Sequence, residues 1–133
     1  MIEFFIPLKS PPTTTFQDKE INWKTKSFYK SYDVKQIEHL YRMHLAQHVP
    51  KEKITGPVRL ITKWCYPYPD YFTAKDRVPT FKTSKPDTEN MVKLLKDQMT
   101  YLGFWNDDAQ VASDVIEKFW AEPTGIYCKI ESL

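Results

Sequence analysis

Glycine is scarce in this 133-residue chain, 3 residues against 10 prolines, so its connections are expected to be stiffened by proline. No glycine-rich phosphate loop is present, which argues against a function driven by a nucleoside triphosphate and leaves no nucleotide cofactor to expect. The two cysteines, Cys65 and Cys128, are too few for a disulfide framework and lack the C-x-x-C spacing of a metal site; reduced, packed thiols are the expectation. No stretch approaches the ~18 apolar residues of a membrane span. The opening MIEFFIP is too short for the core of a signal peptide and carries Glu3 where a basic start is expected. These absences point to a cytoplasmic protein with no membrane partner.

Apolar residues make up 41% of the chain and aromatics 15%, enough for a real core, and the length suits a single domain over residues 1–133. The net charge of +2 conceals an asymmetry: residues 1–86 carry +7 and residues 87–133 carry −5. A basic surface with a local acidic pocket suits an enzyme that attracts nucleic-acid phosphates and holds a divalent cation. The competing interpretation is that the charges only solvate two faces.

Ile2, Phe4 and Ile6 alternate before Pro7 and read as a first strand. Residues 9–31 have no sustained period and are rich in Pro, Thr and Lys, which reads as a long exposed loop or arm. Asp33 is placed to cap a helix in which Val34, Ile37, Leu40, Tyr41, His44, Leu45 and His48 recur, ending before Pro50. Residues 56–67, with Val58, Leu60, Ile61, Trp64 and Cys65, read as a second strand, and 68–86 as an aromatic and basic connection. A second helix is expected from Thr88 to Leu102 on the stripe Met91, Leu94, Leu95, Met99 and Leu102, stopped by Gly103. The turn NDD leads into a third strand with a bulge near residues 114–116, and PTG is expected to turn it back as a hairpin into IYCKIE. The expected fold is α+β, a small mixed four-stranded sheet flanked by helices in the order β-α-β-α-β-β.

Carboxylates crowd residues 85–111. Asp87 and Glu89 are two apart, which on a regular helix points them about 200° from each other. They converge only if the helix starts between them, as Pro86 and an N-capping Asp87 allow. Lys93 follows one turn beyond Glu89, off the apolar stripe. If the next strand returns beside the start of the helix, Asp107 or Asp108 closes a cluster suited to Mg²⁺, which activates water and neutralises a phosphodiester. Caps and turns are also the commonest jobs of aspartate, so Asp87, Asp107 and Asp108 are equally readable as structural residues.

The stretch KPDTENMVKLLKDQM followed by GFWNDDAQV resembles the signature of the RusA family of Holliday junction resolvases, endonucleases of phage and prophage origin. The shared pattern is an acid-x-acid-Asn helix entry, a lysine four residues after the second acid, and a Gly-aromatic-aromatic-x-Asp-Asp-x-Gln-Val turn. The resemblance implies that Asp87, Glu89 and Asp108 are catalytic metal-site acids, that Lys93 is needed for cleavage, and that Asp107 is an adjacent acid with a supporting or structural role. Glu89 departs from the Asp expected there, which bears on metal affinity and on the choice between Mg²⁺ and Mn²⁺. The resemblance further implies a homodimer that binds four-way junction DNA and makes paired cuts. A junction-binding protein that has lost cleavage is the alternative, and a metal nuclease with no junction preference is a third reading.

Lys24, Lys26 and Lys30, interleaved with Trp23, Phe28 and Tyr29, are candidate DNA contacts, as are Lys75, Arg77, Lys82 and Lys85, which lead directly into the acids. His44 and His48 have the spacing of a zinc pair but lack the glutamate of H-E-x-x-H, and they are read as packed or partly exposed.

Overall fold

Alternation sets the first strand, β1 (Ile2–Pro7), whose Phe4 and Ile6 turn inward. In the computed structural model the backbone is described for residues 1–12, 19–22, 27–30 and 32–133, and side chains for residues 1–12 and 34–133. Within the segment expected to be an irregular arm, β2 (Lys19–Asn22) and β3 (Ser27–Lys30) pair antiparallel as a separate two-stranded sheet. The first helix, α1 (Tyr32–Leu45), begins one residue before Asp33, which is therefore inside it rather than capping it, and gives way to a 3-10 turn over Ala46–His48. His48 is partly exposed and lies flat against Phe4, ring centroids 4.1 Å apart.

The next strand, β4 (Val58–Tyr66), buries every second residue: Val58, Leu60, Thr62, Trp64 and Tyr66. Of the two hydroxyls in that row, Thr62 Oγ1 accepts from the Trp64 indole N–H at 2.9 Å, whereas the buried Tyr66 hydroxyl has no hydrogen-bond partner among the described residues. The chain continues through β5 (Thr80–Phe81), α2 (Thr88–Leu102), β6 (Val111–Trp120) and β7 (Gly125–Ser132). The main sheet has five strands in the order β1-β7-β4-β6-β5, one more than expected. β5 is the addition, and a two-residue strand is too short to leave a period in the sequence.

The expected hairpin between the last two strands does not form. β4 lies between them, parallel to β6 and antiparallel to β7. Strands two places apart are separated by about 9.5 Å, a gap that the link over residues 121–124 spans easily. The bulge also sits elsewhere: Val58 pairs with Val111 and Arg59 with Ser113, so Ala112 is the extra residue.

Cross-strand partners place Ile6, Ile126, Trp64 and Leu60 on one face with Cys128 and Ile130, and the buried residues of α1 and α2 complete the same core. The helices thus cover one face of the sheet, a two-layer α+β arrangement. Between the helices, Arg42 Nε donates to Gln98 Oε1 at 2.6 Å and Gln98 Nε2 to Glu38 Oε2 at 3.2 Å. Cys128 is buried, which pushes its thiol well above the usual range and leaves it unreactive.

Gly125 opens β7 at φ 143°, and a Cβ there would lie 2.1 Å from the Ile6 carbonyl oxygen. Gly125→Ala is expected to destabilise the fold by about 3 kcal/mol, whereas Gly56→Ala, with nothing within 4 Å of its Cβ, is expected to be near neutral. Equilibrium denaturation of the two variants checks the contrast.

Candidate active site

Pro86 disfavours helical geometry at Lys85, and α2 starts at Thr88 with Asp87 in extended geometry as its N-cap residue (φ −72°, ψ 139°). The Asp87 carbonyl accepts from the N–H groups of Asn90 at 3.2 Å and Met91 at 3.3 Å. Its carboxylate makes no capping hydrogen bond and is exposed. The usual structural reason for an aspartate at this position is thus not fulfilled by its side chain.

Glu89 occupies the first turn and is exposed. Lys93, Asp97 and Thr100 follow it along one polar face, while Met91, Val92, Leu94, Leu95 and Met99 are buried on the other. Lys93 and Asp108 meet at a cavity of about 310 Å³ that Lys96 and Asp97 also line. A second opening of about 470 Å³ shares Asp97 and Asp108 and adds Thr100, Tyr101, Asn106 and Asp107.

Asp108 is held there by a short relay: the buried Trp105 donates its indole N–H to Thr100 Oγ1 at 2.8 Å, and the Thr100 hydroxyl donates to Asp108 Oδ1. Asp107 has a local job, accepting from the Ala109 N–H at 2.9 Å as the cap of a 3-10 turn over Asp108–Gln110. Gln110 anchors the whole turn. Its Oε1 accepts from the N–H groups of Asn106 at 2.8 Å and Asp107 at 3.1 Å, and its Nε2 donates to the carbonyls of Ile54 at 2.8 Å and Gly56 at 3.0 Å. Lys96 bridges to Asp114 at 3.0 Å, tying α2 to β6.

The structure therefore brings Lys93 and Asp108 together and leaves Asp87 and Glu89 outside the lining of that cavity. The Asp-Asp turn returns beside the second half of α2, not beside its start: Thr100, which bonds Asp108, is about 16 Å of helix rise beyond Glu89. Among the described residues no three His, Cys, Asp or Glu side chains are grouped to hold a metal ion. The oxygen pair Asp97 and Asp108 nevertheless has the right chemistry for magnesium, which commonly takes one or two carboxylates, keeps several waters and completes its shell with substrate phosphate.

Of the basic candidates, Lys75, Arg77 and Lys85 are exposed on the connection before α2. Arg77 is steadied by donating to the Phe72 carbonyl at 3.3 Å. Lys82 is placed differently: it is buried, its ammonium lies 4.6 Å from the Trp120 ring, and it donates to Ser84 Oγ at 2.7 Å and to the Lys85 carbonyl. Lys24 and Lys26 lie outside the described residues, and of Lys30 only its place at the end of β3 is described. Sequence reasoning passed over Lys96 and Asp97. The signal was available, since Asp97 is four residues beyond Lys93 and eight beyond Glu89 on the same helix face.

Removing Gln110 strips partners from two N–H groups and two carbonyls at once. Gln110→Ala is expected to cost about 2 kcal/mol of stability in a denaturant titration.

The profile of the family described as "Endodeoxyribonuclease RusA" matches residues 9–131. A protein of Lactococcus phage r1t named "Crossover junction endodeoxyribonuclease rusA" is 33% identical over 112 residues, 82% of this chain and 81% of that protein. "Uncharacterized protein YqaN" of Bacillus subtilis (strain 168) is 36% identical over 84 residues, 58% of each chain. With the match running from the residues after β1 into β7 and including α2 and the Asp-Asp turn, this chain belongs to the RusA endodeoxyribonuclease family.

Proposed function

We propose that the protein is a metal-dependent, structure-selective endodeoxyribonuclease that resolves four-way (Holliday) DNA junctions by paired symmetric phosphodiester cleavage, acting in DNA recombination and repair. The observation that carries this reading is the meeting of Lys93, from the first motif block, with Asp108, from the second, at one cavity on the polar side of α2. Family membership and the relative from phage r1t support the same substrate class.

In this reading the exposed Lys75, Arg77 and Lys85 guide the DNA backbone toward the entry of α2. Lys93 presents a point charge to the scissile phosphate and stabilises the negative charge that grows on its oxygens. Asp108, fixed by Thr100, and Asp97 beside it would hold Mg²⁺, or Mn²⁺ in its place. Asp87 and Glu89 offer exposed carboxylates at the helix entry, where each can accept a proton once DNA is seated. The metal, when bound, supplies an activated water and neutralises charge on the phosphodiester. Water oxygen forms the new bond to phosphorus and one ester oxygen leaves, so each hydrolysis gives a nick.

Two symmetric nicks call for two sites related by a two-fold axis, and we infer a homodimer on that ground. The sheet face away from the helices, with partly exposed Phe5, Ile61, Cys65 and Tyr127 and the exposed Val115, suits that contact better than the basic connection, which is reserved for DNA. A second reading, a junction-binding protein without cleavage, is favoured by Glu89 in place of aspartate and by the absence of a grouped acid triad among the described residues.

Purified protein incubated with a labelled four-way junction in Mg²⁺, Mn²⁺ or chelator is expected to give symmetric paired nicks that require metal. A junction bound but uncut in every metal transfers the assignment to the binding-only reading, and binding that disappears under equimolar linear duplex removes junction selectivity. Asp108→Asn is expected to lower cleavage by about 100-fold or more with junction binding retained, and joint loss of both would mean that the acid is structural. Lys93→Ala is expected to produce a fall of similar size in cleavage rate while shifting stability by less than about 0.5 kcal/mol, as an exposed residue off the apolar stripe should. Thermal unfolding alongside the nicking assay separates the two effects.

A further inference from the structure

Two lysines that the mechanism above does not use converge on the backbone leading into Asp87. Lys82 is 8% exposed, and its ammonium donates to Ser84 Oγ at 2.7 Å and to the Lys85 carbonyl. Lys118, on the helix-facing side of β6, donates through its ammonium to the carbonyls of Ser84 at 2.6 Å and Pro86 at 2.8 Å. Three successive carbonyls, those of Ser84, Lys85 and Pro86, are thus captured by two ammonium groups. The lysines are themselves tied together, with the Lys82 N–H donating to the Lys118 carbonyl at 2.9 Å where β5 meets β6. The next residue in the chain is Asp87.

This arrangement is costly to build. The Lys82 ammonium sits 5.1 Å from the Tyr66 ring and 4.6 Å from the Trp120 ring, and burial, with the neighbouring Lys118 charge, lowers its pKa. Apolar side chains of similar volume fill such a place at least as stably as desolvated cations, so stability alone gives little reason for ammonium groups here. What they supply is geometric definition of the Ser84–Pro86 backbone, through its three carbonyls. Pro86 has no N–H to donate, and the Asp87 carboxylate does not brace itself on the helix it precedes.

We propose that Lys82 and Lys118 are positioning residues that fix the Ser84–Pro86 backbone and thereby aim the Asp87 carboxylate, and that Lys82 does not touch DNA. The inference rests on reading Asp87 as a member of the cleavage site. A displacement of about 1 Å at a reacting group costs as much as 100-fold in rate, so a loosened backbone at residues 84–86 should be visible in turnover even when binding is intact.

The test measures single-turnover cleavage of a four-way junction, junction affinity over a range of salt, and thermal unfolding, for wild type and for Lys118→Met, Lys118→Arg, Lys82→Met and Asp87→Asn. Lys118→Met is expected to reduce the single-turnover rate about 30-fold while junction affinity and its salt slope stay near wild type and the unfolding temperature falls by only a few degrees. Lys118→Arg, which keeps donors within reach of the carbonyls, is expected to recover most of that rate. Lys82→Met is expected to behave like Lys118→Met, and since it is the more buried of the two, an unfolded Lys82→Met leaves the decision to the Lys118 pair. A weaker affinity with the salt slope reduced by about one in Lys118→Met would identify a phosphate contact and overturn the proposal, as would unchanged cleavage. Full activity of Asp87→Asn would instead remove the reading of Asp87 on which the proposal rests, whatever the lysine variants show.

Discussion

The parallel pairing of β4 with β6 is the constraint from which the site follows. Neighbouring parallel strands cannot be joined by a tight turn, so residues 67–110 must cross over the sheet, and the crossover is where the chain places α2. The helix lays Met91, Leu94, Leu95 and Met99 toward the Trp64 side of the sheet, where they join the buried apolar residues of β4 and β7. Its other face necessarily carries the charges, Glu89, Lys93, Lys96 and Asp97. The two motif blocks lie at the two ends of the helix in this crossover, which is entered at Asp87 and left toward Asp107 and Asp108.

Both ends are fixed mainly by polar side chains that reach backbone groups. At the exit, Gln110 satisfies two N–H groups of the turn and two carbonyls of residues 54 and 56, and Gly103, in left-handed geometry at φ 97°, lets the chain leave the helix toward that turn. At the entry, lysine ammonium groups take the carbonyls. Buried side-chain hydrogen bonds of this kind add modestly to stability but leave few alternative backbone geometries, because each lost partner strands a polar group. The acids can then remain exposed or partly exposed without being the residues that hold the fold.

Function and fold press differently on the same residue types. Asp107 spends its carboxylate on a cap, whereas Asp87 occupies a cap position without using its side chain for it, and Asp108 accepts a hydroxyl while facing a cavity. Lysines divide in the same way: Lys93 faces the cavity, Lys96 is paired with Asp114, and Lys82 is buried against aromatic rings. Composition and charge asymmetry cannot separate these roles, since they depend on which polar atoms lie within about 3 Å.

Local chemistry determined much of this protein in advance. The bounds of α2, the left-handed stop at Gly103, the alternation in β1 and β4, and the identity of the acid and lysine motif were legible because each depends on residues close together in sequence. The short β5, the β2–β3 pair and the place of the bulge were not, since brief strands carry too few residues for a period. The insertion of β4 between β6 and β7 is a choice among long-range pairings, and the sequence favoured the nearer partner because only the compact sheet shows that β4 buries most completely at the centre. The site divides along the same line. Sequence named Lys93 and Asp108, but that they share a cavity with Lys96 and Asp97, whose lining does not include Asp87 or Glu89, was decided by where the crossover returns to the sheet.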